Sequence, residues 1–68
     1  MLVNKRVAGW IVDQYFGLPP DNVFIHEAVT VEDTATEAEI AKEALIHCDR
    51  FLHFVEWANG PFIEEITE

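Results

Sequence analysis

Serine is absent from this 68-residue chain, and with it goes every mechanism that needs a serine nucleophile. A single cysteine rules out an intramolecular disulfide, and no paired Cys/His spacing of the structural zinc kind is present. Glycine occurs three times and never in a cluster, so no loop can cradle a phosphate. No apolar run approaches the ~18 residues that a membrane span requires. The opening Met1-Leu2-Val3-Asn4-Lys5-Arg6 leads into an amphipathic segment, without the apolar stretch and small-residue cleavage site of a secretory signal. Positive charge is equally scarce. Four Lys and Arg stand against thirteen Asp and Glu, which disfavours direct contact with nucleic acid or with an anionic membrane surface.

What the chain does have is a net charge of −9 on a body that is half apolar. Trp10, Phe16, Phe24, Phe51, Phe54, Trp57 and Phe62 supply enough bulk to exclude disorder despite the charge. Residues 1–68 make one domain, too short for a second core. A domain of this size without disulfide or metal needs a dense core, a partner or self-association. The lone thiol suits a reducing interior, so a cytoplasmic protein is expected.

The expected fold class is α+β, a small two-layer domain. Thr34-Ala35-Thr36-Glu37 and Thr36-Glu37-Ala38-Glu39 both fit the capping box, and Asn59-Gly60-Pro61 reads as a helix stop. Between them a long C-terminal helix is predicted over about 36–58. Ile40, Ala41, Ala44, Leu45, Cys48, Phe51, Leu52 and Val55 would form its core face, and Ile46, Phe54 and Trp57 a second, outward stripe. Val23 to Val31 alternates and is rich in β-branched residues, which predicts a central strand. The N-terminal segment reads either as a helix, with Asn4 as cap and Gly17 as stop, or as a strand around Trp10-Ile11-Val12. Its start and stop signals agree only in the helical reading, which is preferred. A short extended tail follows Pro61.

Candidates for chemistry are few. On a long helix His47, Cys48 and His53 lack the spacing that lets two ligands share a metal. Glu43–His47 and Asp49–His53 would be surface i, i+4 pairs. His26 and Glu27 point to opposite faces of a strand. Catalytic residues, cofactors and metal are therefore not expected. The carboxylates remain: Glu27, Glu32, Asp33, Glu37, Glu39 and Glu43 gather near the helix start, and Glu64, Glu65 and Glu68 at the tail. Glu39 and Glu43 are one turn apart, ~6 Å, close to the spacing of successive phosphates. Such a ridge would fit a groove lined by Lys and Arg on a nucleic-acid-binding protein. The expected partner-binding set is Glu32, Asp33, Glu37, Glu39 and Glu43, with Ile46, Phe54 and Trp57 as apolar anchors. This describes a small inhibitor or nucleic-acid-mimicking decoy. The alternative is a homodimeric structural or regulatory module that buries its second apolar stripe and a strand edge against a twin.

Two likenesses bear on these readings. In size and acidity the chain is similar to small anti-defence proteins such as anti-CRISPRs. The stretch Ile11–Val23, IVDQYFGLPPDNV, resembles the first helix and following loop of acyl and peptidyl carrier proteins. That resemblance implies a four-helix domain with a pantetheine arm on a serine at the start of its second helix. Here that region reads Glu32-Asp33-Thr34-Ala35-Thr36-Glu37-Ala38, without the serine, so it implies a degenerate carrier at most.

Overall fold

In the computed structural model, which describes residues 1–66, the first thirty-two residues fold as a long β-hairpin whose burial alternates along each strand. Strand β1 (Leu2–Asp13) pairs antiparallel with β2 (Asp21–Glu32) through an uninterrupted register from Leu2↔Glu32 to Asp13↔Asp21. Helix α1 (Glu37–His47) follows, then one 3₁₀ turn (Phe51–His53) and strand β3 (Phe54–Glu65). The three strands form one antiparallel sheet in the order β2-β1-β3, with the helix on one face. Among the described residues no helix is long and apolar enough to cross a membrane.

Alternation decides which face is covered. Val7 and Ile11 of β1, with Ile25, Val29 and Val31 of β2, point to the helix side and are buried. Ile40, Ala41, Ala44 and Leu45 meet them from α1. Val7, Val29, Val31, Ile40 and Ala44 make one cluster, and Ile11, Ile25 and Leu45 a second. Trp57 packs against both. It reaches that position because Gly9, on the helix-side face of β1, leaves room. A Cβ there would stand 2.7 Å from the Asn59 carbonyl oxygen and 2.9 Å from the Trp57 ring.

The expected α+β architecture of an N-terminal helix and a long C-terminal helix is corrected: the chain is 21% helical and 55% strand, with one short helix. The N-terminal segment is strand β1. Gly17, at φ +79°, sits in the Tyr15–Leu18 turn of the hairpin loop rather than closing a helix. The hairpin equally overturns the carrier-like reading of Ile11–Val23, which spans the end of β1, the loop and the start of β2. Val23–Val31 forms the middle of β2.

The helix expected over 36–58 starts at Thr36 and ends eleven residues later. Cys48 caps it, and Asp49 adopts φ +59°. The Arg50 amide donates to the Leu45 carbonyl at 2.9 Å and the Asp49 amide to that of Ile46 at 3.1 Å. That is a Schellman motif with Asp in the left-handed position where glycine is usual. Phe51, Leu52 and Val55, expected in the core, are exposed, Leu52 by 93%. Asn59-Gly60-Pro61 lies within β3, where the register to β1 shifts between Ala8 and Trp10, and the Gly60–Pro61 peptide is cis. Glu68 lies outside the described residues.

Candidate functional site

The chain reverses over Asp33–Ala35 and lays α1 back along β2, which brings separate carboxylates to one surface. The Asp33 amide donates to the Met1 carbonyl at 3.0 Å and the Ala35 amide to that of Glu32 at 3.0 Å, which fixes the reversal. Thr36 then caps the helix: its hydroxyl accepts from the Glu39 amide at 3.2 Å, and its own amide donates to Glu39 Oε1 at 3.0 Å. The two bonds from Thr36 to the Glu39 carboxylate, from its amide and its hydroxyl, hold that carboxyl below its ordinary range.

Between β2 and α1 runs an open groove of about 530 Å³ whose walls carry Glu32, Glu39 and Glu43, with Lys42 the cation beside them. Leu2, Thr30, Val31, Thr34 and Ala35 complete its lining. Asp33 adjoins it, and the N-terminal amine lies 2.9 Å from Glu32 and 4.0 Å from Asp33. Ile46, 45% exposed, follows Lys42 and Glu43 by one turn on the outer side of α1. Of the sequence-predicted set, Glu32, Glu39 and Glu43 therefore line one groove, with Asp33 and Ile46 beside it.

The other three are elsewhere. Glu37 faces a second, apolar groove between α1 and β3, about 440 Å³, whose floor is Ala41, Leu45, Phe54, Trp57 and Pro61. Phe54 and Trp57 sit on β3 beneath the helix, edge-to-face at 5.8 Å, half-buried against the core. They cannot flank the Glu39–Glu43 ridge, because the helix that would have carried them there stops at His47. Lys42 overhangs this groove too, its ammonium 5.5 Å from the Phe51 ring centroid.

A polar cluster at the far end of the sheet escaped the sequence reading. Asp13, buried on the helix side of β1, accepts from Arg50 Nη1 at 3.1 Å and meets His53 Nδ1 at 2.6 Å. The Tyr15 ring stands edge-on to His53 at 4.9 Å, and the Gln14 amide donates to the His53 carbonyl at 2.9 Å. His53 therefore pairs with Asp13, not with Asp49 at the i, i+4 spacing that a continuous helix would give. The arrangement orients an imidazole on a carboxylate, and it ties the end of β1 to the segment joining α1 to β3. Its one sequence signal is that Asp13 sits at a core-facing position of an alternating run.

Cys48 is half-buried at the helix end, where it donates to the Leu45 carbonyl at 3.5 Å. Burial first, then the nearby Glu27 charge, push its thiol up, away from nucleophilic use. Among the described residues no group of three or more His, Cys, Asp and Glu is placed to hold a metal ion. No family model, curated protein or solved structure matches this chain.

Proposed function

We propose that this is a small acidic protein-binding module that offers the β2–α1 carboxylates to a basic groove of a nucleic-acid-handling protein, as an inhibitor or decoy. One observation carries the reading. Glu32, Glu39 and Glu43 line a single groove with Lys42 as its cation, on a chain of net charge −9. Carboxylates gathered in this way on a strongly acidic chain repel one another and lower fold stability, an arrangement that a cationic partner would relieve. Glu39 is held ionised and in place by the capping box, so part of the ridge is ordered before any partner arrives. Ile46 supplies an apolar contact beside it. Phe54 and Trp57 take no part, and Glu37 is left at the margin. The lone cysteine is consistent with action in a reducing interior.

The test is capture from cell extract on the immobilised chain at low salt. A decoy retains nucleic-acid-binding proteins that are released by rising salt and by added double-stranded DNA. The Glu39→Lys/Glu43→Lys chain should retain none of them. Retention that survives charge reversal, or that DNA does not displace, overturns the proposal.

A further inference from the structure

We infer that the sheet face opposite α1 is a self-association surface, on which a second copy of this chain packs face to face. The observation is an aromatic set that the fold leaves uncovered. Trp10 and Phe24 are cross-strand partners packed edge-to-face at 5.4 Å, yet they remain 45% and 51% exposed. One row along, Ala8 lies between Phe62 and His26, and Phe62 is 59% exposed. These side chains point away from the helix, because they alternate with the buried Val7 and Ile11 set. Ala8 thus forms a low floor among taller rings.

Area, charge and stability each point to a second copy. Twelve residues at ~3.4 Å by three strands ~4.8 Å apart give a face of about 590 Å² in plan. Side-chain relief enlarges this toward the ~800 Å² per partner of a specific interface. The surface of the whole chain is only 4795 Å², so the face is a sizeable share of it. Like-charged copies meet most easily where charge is least. Of the carboxylates among the described residues this face carries Glu32, Glu56 and Glu64, and two have a cation at hand: Arg6 lies 2.6 Å from Glu64, and the N-terminal amine 2.9 Å from Glu32. The remaining described acids lie on the helix side and in the turns. Finally, one helix covers one face of a three-stranded sheet, and no disulfide supports it, so a covered second face would supply the missing burial. Single-stranded nucleic acid could stack on such rings, but the net charge and the engagement of Arg6 with Glu64 oppose it.

Sedimentation equilibrium of the full chain across a concentration series tests this. The wild-type chain should dimerise, more tightly as salt screens the two like-charged bodies, and its melting temperature should rise with concentration. Trp10→Lys and, separately, Phe62→Lys should each weaken the dimer at least tenfold. Both side chains are half exposed, so circular dichroism should show the fold retained. Leu52→Lys, away from this face, should leave the dimer unchanged. A wild-type chain that stays monomeric at hundreds of micromolar overturns the inference, and would free the face for an unrelated protein. A dimer that survives both lysine variants overturns it as well, since association would then run through the β2 edge or the α1–β3 groove. Because dimerisation strengthens with salt and capture by a basic partner weakens, failure of one proposal does not mimic failure of the other.

Discussion

Replacing Gly9 by alanine tests the packing that seats Trp57, and its sign follows from two opposed effects. The new Cβ would lie 2.7 Å from the Asn59 carbonyl oxygen, 2.9 Å from Trp57 Cζ3 and 3.2 Å from its Cε3. The first neighbour is backbone of the paired strand β3 and cannot turn aside, and the second is an indole wedged against both core clusters. Overpacking of this kind costs about 1–3 kcal/mol. Against it stands the entropic gain of removing a glycine from a strand interior, roughly 0.5–1 kcal/mol. The balance is a loss of about 1–2 kcal/mol, or about 5–15 °C in melting temperature for a domain of this size. Thermal unfolding by circular dichroism reads the loss. Tryptophan emission in a Trp10→Phe background reads the cause, since Trp57 should shift to the red as it is pushed outward. A Gly9→Ala chain that melts at or above the wild-type temperature, with Trp57 emission unmoved, would refute the account of how β1, β3 and the helix fit together.

Other substitutions probe the remaining elements. Asp49→Gly should stabilise the chain by about 1 kcal/mol, since it removes a left-handed side chain at φ +59° and a negative charge from a helix C-terminus; urea titration checks it. Asp13→Asn should destabilise by about 1.5–3 kcal/mol in the same assay, because a buried carboxylate that joins Arg50 and His53 loses its charge. Thr36→Ala should lower stability by about 0.5–2 kcal/mol through loss of the cap. The contribution of the Glu39 carboxylate follows a definite sign with pH. Its folded pKa lies below the ordinary 4.5, so its stabilisation is complete above that value and fades as pH falls through the folded one. Wild-type and Glu39→Gln melting temperatures should therefore converge in acid.

The parts of this fold legible in the sequence are those set by neighbours a few residues apart. The capping box at Thr36 and Glu39 is one, and the buried face Ile40, Ala41, Ala44 and Leu45 is another. The alternation of Val23–Val31 falls within β2 for the same reason. The long helix misled because Phe51, Leu52 and Val55 continue the spacing of the true helix, while its end is marked by an aspartate in a conformation usually left to glycine. The N-terminal segment misled because Gly17, which serves a hairpin turn, mimics a helix stop, while Gly9 makes room for a side chain 48 positions later in the sequence. The candidate site was half legible. Glu32, Glu39 and Glu43 come together through a short local reversal, whereas Phe54 and Trp57 depended on the helix that does not form. The partners of Asp13 were illegible, because they stand 37 and 40 residues away.

The two margins of the sheet are unequal. Strand β2 runs twelve residues in unbroken register with β1, without proline or lysine to blunt its outer edge. Strand β3 is bent by three register shifts, carries Pro61 and presents Glu56, Glu64 and Glu65. An extra strand can be added beside β2, but a bent, proline-bearing and acidic border offers no matching ladder on the other side. Were two copies to join edge to edge through β2 instead of face to face, the assembly would close at two molecules, each having spent its one receptive border, with the irregular third strand blocking growth on the other side.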